Sequence, residues 1–342
     1  MKFIKRLKNY IYIKRLNNLI KSYKYVHIMF NDKFNKPFVD FLNQHFNNDE
    51  HLILCKHFFK EFPMPTGKNV IEINSLKGLK FDNCDKLICH SLFDPDLVDY
   101  LYNNQNLLKE KAHWVIWGGD LYQAPRDEKS DLVRRLFKGY IACIQGDELL
   151  AKEKYNSNAN LYYALYQPVI TESILNQIHP HKSDFINIQI NNSADVTVID
   201  MLQTLSKFKD KNINIYTILS YGDKDCINEI LKTGKSIFKD KFKPIMDFMN
   251  PTEFAQHIAN LDIVIFNQNR QQGVGNAFLA GYYGKKIYIK KFLTSYKYLT
   301  NLGLEIFDTD AIKDLSFNEF VAITQEQISK TKKSAKIYYD ES

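Results

Sequence analysis

Between residues 267 and 272 the chain sets five amides and one guanidinium in a row, Asn267-Gln268-Asn269-Arg270-Gln271-Gln272, and follows them at once with Gly273 and Gly275. Arg270 brings a permanent charge on a planar fork that fits two oxygens of one anion, and Gln271, Gln272 and Asn276 add neutral donors. Glycine lets an anion come close to the backbone, and the free N–H groups of a helix start carry partial positive charge. The chemistry this combination suits is phosphate binding. Gly-x-Gly alone also fits an ordinary surface turn, but dense donors directly after an apolar run favour a ligand loop.

Strand, loop, helix and strand must position those side chains. Residues 262–266 form a short run that is apolar after Asp262 and rich in β-branched residues, as in a strand buried in a parallel sheet. Asn276 opens an apolar helical segment, Gly284 stops it, and 286–289 resumes as a strand. Upstream, strand 185–190 runs into Asn191-Asn192-Ser193-Ala194-Asp195, and strand 213–219 into Ser220-Tyr221-Gly222-Asp223. These two loops, through Asn192, Ser193, Asp195, Ser220 and Gly222, are further candidates for holding the same ligand.

The first half repeats the alternation. Strands are expected at 25–30, 51–55, 69–73, 86–90, 113–117 and 140–144, with helices at 34–46, 94–108, 132–138 and 147–155. Ligands of such sheets bind beyond the carboxyl ends of the strands, where Asn31-Asp32, His90-Ser91 and Gly119-Asp120 fall. Asp120 is the first candidate for a general base, Asp32 the second, and His90 a third polar group at that edge. Helix caps fit both aspartates equally well, and a satisfied core histidine fits His90; the residues themselves leave this open.

The fold class is therefore α/β: two Rossmann-like domains facing a cleft, 25–175 and 176–312, with a C-terminal helix and tail at 313–342. The break at 166–184, containing Gln167-Pro168 and His179-Pro180-His181, reads as the connector. No Walker loop or dinucleotide fingerprint is present, and no cofactor or metal is expected. Five scattered cysteines, odd in number, read as free thiols.

The net charge of +7 resides in the first 31 residues, which carry eight basic side chains and no acidic one. On a helical wheel Phe3, Ile4, Leu7, Tyr10 and Ile11 share one face, and from Tyr12 the apolar positions move to the opposite one. Two short amphipathic helices, or one broken helix, are expected over 1–24. Such a segment suits an anionic membrane surface, each Lys or Arg there contributing about 1 kcal/mol. It cannot span a bilayer, since charges interrupt it every few residues. A packed extension of the first domain is the alternative; nucleic-acid binding is disfavoured, because the rest of the chain has no second basic patch.

Three stretches carry a family resemblance: His113 to Gln123 (HWVIWGGDLYQ), Asn191 to Asp195 (NNSAD), and Phe266 to Ile289 (FNQNRQQGVGNAFLAGYYGKKIYI). They resemble the bacterial 4-acetamido-4,6-dideoxy-galactose (Fuc4NAc) transferases of enterobacterial common antigen synthesis, from Tyr25 to about residue 310. That resemblance implies a GT-B fold and a dTDP-sugar donor, with a polyprenyl-diphosphate-linked glycan as acceptor. It also implies inversion at the anomeric carbon without an obligatory metal, and peripheral attachment to the cytoplasmic face of the inner membrane. The chain departs from the family's Gly-Asn-Ser-Gly-Asp loop and following histidine with Asn191-Asn192-Ser193-Ala194-Asp195, then Val196, Val198 and Asp200, which bears on donor and acceptor identity. Other surface-glycan transferases, and a non-catalytic nucleotide- or glycan-binding protein, are the competing readings.

Overall fold

The computed structural model describes residues 2–60, 62–166 and 168–340, with side chains given from residue 7 to 339. The side chains of Phe3 and Ile4 of the N-terminal apolar face, and Gln167 of the connector, lie outside what is described. The chain divides into two compact units, Met1–Val169 and Ile170–Ser342.

Unit 1 is a seven-stranded parallel sheet. Its strands are β1 (Tyr25–Phe30), β2 (His51–Lys56), β3 (Val70–Glu72), β4 (Lys86–His90), β5 (Ala112–Ile116), β6 (Gly139–Ala142) and β7 (Asn160–Tyr163), in the order β3-β2-β1-β4-β5-β6-β7. Unit 2 is a six-stranded parallel sheet of β8 (Ile186–Ile190), β9 (Ile213–Ile218), β10 (Phe242–Ile245), β11 (Ile263–Phe266), β12 (Lys286–Ile289) and β13 (Ile306–Asp308), ordered β10-β9-β8-β11-β12-β13. In each sheet the strand order reverses once, between β1 and β4 in unit 1 and between β8 and β11 in unit 2. Such switch points, at the carboxyl ends of the strands, are where open α/β sheets bind ligands.

Burial on both faces explains the sequences of the central strands. Val26, Ile28, Leu52, Leu54, Leu87, Cys89 and Trp114 join one core, while Met29, Ile53 and Cys55 face the helix α2 (Asn35–His45) through Val39 and Leu42. Three edge strands, β7, β10 and β13, were not expected from the sequence. They are only three or four residues long, and β7 is largely exposed, so no apolar run announces them. The segment 94–108 is two helices rather than one, Pro95–Tyr102 and Gln105–Glu110.

The N-terminal segment is one continuous helix, α1 (Lys2–Ile20), rather than two short or broken ones. No proline or glycine interrupts it. The change of apolar face has a packing cause: Leu16 and Ile20 are buried in the unit 1 core with Ile13 against it, whereas Leu7, Tyr10 and Ile11 are exposed. Asn17 clips the helix to the unit, donating from Nδ2 to the Gly78 carbonyl at 2.9 Å and accepting from the Lys80 N–H at 2.9 Å. No helix among the described residues is long and apolar enough to cross a membrane. All five cysteines are free, and Cys55, Cys84 and Cys89 are buried.

Candidate active site

In unit 2 the loops after the two switch-point strands are knitted into one polar cradle. Asn191, at the end of β8, has φ 52° and accepts the Asn267 N–H at 2.7 Å through its side chain, fixing the loop after β11 to the loop after β8. Gln268 donates to Asn192 Oδ1 at 3.0 Å, and Gln272 Nε2 donates to Ser193 Oγ at 3.0 Å. The Tyr221 hydroxyl donates to the Asn192 carbonyl at 2.6 Å and brings in the loop after β9. Gly222 closes that corner with φ 134°; a Cβ there would lie 2.7 Å from Ala194 Cβ.

Gly273 caps α5 (Val274–Tyr282) in a left-handed conformation, φ 74°. A Cβ on it would sit 2.8 Å from Asn192 Nδ2, so only glycine lets this helix start close against the Asn192 loop. Gly275, two residues on, has open space around its would-be Cβ apart from the Tyr338 hydroxyl at 3.9 Å. Arg270 is half-buried beside this start. Its Nε is buried and donates to no protein acceptor, and the Gln272 Oε1 is likewise unpartnered. Burial pulls the Arg270 guanidinium down from its ordinary range, with Asp195 and Tyr221 pulling the other way. A cation held half out of water with a spare donor, next to a helix N-terminus, is electrostatically matched to an anion.

Not every expected residue reaches the cradle in the same way. Asp195 caps α4 (Val196–Leu205), accepting the Thr197 N–H at 2.9 Å and the Thr197 hydroxyl at 2.6 Å, and acts on Arg270 only as a nearby charge. Gln271 is buried, Asn276 is partly exposed on the first turn of α5, and Ser220 is partly exposed beside Tyr221. Gln268 and Tyr221 earn a place that sequence alone did not single out for them.

In unit 1 the loops after β1 and β4 occupy the equivalent position. Asp32 Oδ1 accepts the N–H groups of Phe34 at 2.7 Å and Asn35 at 3.0 Å, so the carboxyl caps the start of α2. Desolvation nevertheless pushes its pKa up to about 6, against those hydrogen bonds and Lys33. Ser91 follows β4 with φ 76°, its hydroxyl buried without a partner. Residues held in such backbone strain cluster at functional sites.

Asp120 lies on the short helix α3 (Gly119–Tyr122) and is 1% exposed. Its carboxylate accepts Trp114 Nε1 at 2.7 Å, the Leu92 N–H at 3.0 Å and the Trp117 N–H at 2.9 Å. Burial raises its pKa, while those donors and Arg134 oppose the rise. The group ties β4 and β5 ends together from inside the core. His90 is also enclosed: Nε2 pairs with His27 Nδ1 at 2.9 Å and Nδ1 with the Tyr166 hydroxyl, and burial takes its pKa down to about 3.

A sequence profile of the 4-alpha-L-fucosyltransferases, glycosyltransferase group 56, matches residues 25–342. The chain belongs to this family. It is the Fuc4NAc transferase family that the three stretches resemble, and membership makes the chain a glycosyltransferase. Solved structures share the fold at low identity. A glycosyltransferase from Rickettsia africae matches with TM-score 0.65 and 11% identity over 94% of either chain. A UDP-forming trehalose-phosphate synthase from Burkholderia xenovorans matches with TM-score 0.62 and 7% identity over 93% of this chain and 97% of that one. The S. aureus MnaA structure with UDP matches with TM-score 0.56 and 11% identity over 92% of both. The fold of this family member is the GT-B type, two parallel-sheet α/β units. The profile begins at Tyr25, so α1 precedes the matched region.

Proposed function

We propose that the chain moves a Fuc4NAc-type deoxy-amino sugar from a dTDP donor to a polyprenyl-diphosphate-linked glycan, inverting the anomeric carbon without a metal. The observation that carries this reading is the buried, unpartnered Nε of the half-buried Arg270 beside the Gly273 helix start. The diphosphate would lie against Arg270, Gln272, Ser193 and the N–H groups at Gly273–Gly275. As the sugar–phosphate bond breaks, charge grows on the leaving diphosphate; a preformed cation and helix N-terminus stabilise it there without reorganising.

The base is Asp32 in this proposal. Its carboxyl is partly exposed at the β1–β4 switch point and its raised pKa suits proton uptake near neutral pH. Asp120, fully enclosed and holding three donors, serves instead as the anchor of the loops around it. The exposed Leu7, Tyr10 and Ile11 of α1, with exposed Lys8, Lys14, Arg15 and Lys21 on the same helix and its C-terminal turn, would rest on an anionic membrane surface and bring the site to a lipid-linked acceptor.

The test is transfer itself. Purified protein given dTDP-Fuc4NAc and a polyprenyl-diphosphate disaccharide should yield a trisaccharide-lipid with inverted anomeric configuration by NMR. Transfer from another nucleotide sugar alone would move the donor assignment, and retention would refute the direct-displacement step.

A further inference from the structure

Three histidines and a tyrosine form one continuous hydrogen-bonded line across the α2-covered face of the unit 1 sheet. His51 Nδ1 meets His27 Nε2 at 3.0 Å, His27 Nδ1 meets His90 Nε2 at 2.9 Å, and His90 Nδ1 meets the Tyr166 hydroxyl. The histidines come from the start of β2, the middle of β1 and the end of β4, so the line runs diagonally across three neighbouring inner strands, from the carboxyl end of β4 to the amino end of β2. Phe38 of α2 roofs it, with its ring centroid 5.7 Å from His27, 4.9 Å from His90 and 5.2 Å from Tyr166. His27 and His90 are 3% and 4% exposed, which holds both imidazoles neutral.

A neutral imidazole has one donor and one acceptor nitrogen. Each interior ring spends both nitrogens inside the line, so the tautomers cannot vary independently. Either every ring carries its proton on Nδ1 and the line donates towards Tyr166, or every ring carries it on Nε2 and the line donates towards His51. The two ends of the line are His51 Nε2 and the Tyr166 hydroxyl. Asp32, Asp120 and Cys143 act on the Tyr166 hydroxyl electrostatically, and the Trp117 ring, 4.9 Å from the Tyr166 ring and 5.1 Å from that of Phe34, links Tyr166 to the turn that the Asp32 carboxyl holds; at the His51 end stand Glu50, which Lys24 holds at 2.7 Å, and the rings of Tyr25 and Phe46. Asp32 is the base of the reading above.

We propose that His51, His27, His90 and Tyr166 form a proton relay that clears the acceptor's proton from Asp32 to the amino end of β2. This rests on the transferase reading above. The acceptor O–H bond breaks and its proton joins the Asp32 carboxylate. That proton passes through water to the Tyr166 oxygen as the Tyr166 proton moves to His90 Nδ1. The His90 Nε2 proton moves to His27 Nδ1, the His27 Nε2 proton to His51 Nδ1, and His51 releases its Nε2 proton to solvent. One proton leaves, and every ring ends neutral with its tautomer reversed. His27, His51 and His90 are positioning residues here, acting through Tyr166.

Two measurements test this separately from the transfer reaction. Long-range 1H–15N spectra of protein labelled at histidine should show His27 and His90 sharing one tautomer. Both should shift together to Nδ1–H as His51 is protonated, because a doubly protonated His51 must donate from Nδ1. Opposite tautomers, or fixed ones while His51 titrates, would overturn the relay even if transfer is fully active. In the transfer assay, His27→Gln and His27→Phe should each lower kcat by about tenfold or more. KM for both substrates should hold, and the solvent isotope effect on kcat should change. A folded variant keeping wild-type kcat and isotope effect would equally overturn it; absence of transfer by the wild type would instead remove the transferase reading and leave the spectra to decide the line itself.

Discussion

At the residue scale, two aspartates of similar sequence context do different things, and environment separates them. Asp32 has a pKa raised to about 6, so the folded state holds its proton more tightly than the unfolded chain does. The stability this provides is complete below the ordinary carboxylate value near 3.8 and is lost as pH rises through about 6. Asp32→Asn should therefore raise the melting temperature at pH 7.5 while lowering kcat by about a hundredfold or more. In the wild type kcat/KM should fall as pH drops through about 6. A variant that is no more stable and turns over normally would take Asp32 out of the site. Asp120→Ala should behave oppositely, leaving the Trp114, Leu92 and Trp117 donors and Arg134 without their carboxylate. Denaturant titration should show a loss of about 3 kcal/mol or more. Neither role was legible in the sequence: both residues come shortly after a strand, at or just before a helix start, and only the burial and the partners, one of which is Leu92, 28 residues away, tell them apart.

At the scale of elements, the central strands were readable because burial on both faces demands unbroken apolar runs such as Ile263–Phe266. The phosphate-type loop was readable too, since its donors and glycines are contiguous. Its partners were not, because Asn191 and Gln268 gain meaning only when β8 and β11 pair side by side. The histidine line is hidden for the same reason, its members lying 24 and 63 residues apart along the chain. The helix start at Gly273 is the most constrained point of the cradle. Gly273→Ala should cost about 1 kcal/mol in stability from its left-handed backbone. It should weaken nucleotide binding further by pushing on Asn192 Nδ2. Calorimetric titration of the folded variant checks this; unchanged affinity would mean that the α5 start does not touch the nucleotide.

At the scale of the whole chain, α1 combines a packed face and a free one. Burying Leu16 and Ile20 contributes on the order of 3–5 kcal/mol, so deleting residues 1–24 would confuse unfolding with lost binding. Replacing exposed Leu7, Tyr10 and Ile11 together by serine leaves the packed face intact. This variant should keep its melting temperature and lose most of its binding to vesicles containing anionic lipid, measured by flotation. Binding equal to wild type would remove the membrane role from α1.

The central claim is that the unit 2 cradle takes a nucleoside diphosphate on Arg270. A thermal-shift titration of wild type and Arg270→Ala with dTDP, and with UDP, GDP, CMP and ADP alongside, tests it most directly. A ligand at about 100 times its dissociation constant adds about 2.7 kcal/mol of stability, a shift of a few degrees for a protein of this size. The account predicts that shift for wild type with dTDP in preference to the others, and its loss in a folded Arg270→Ala protein. No shift with any nucleotide, or a dTDP shift that survives removal of Arg270, would contradict it.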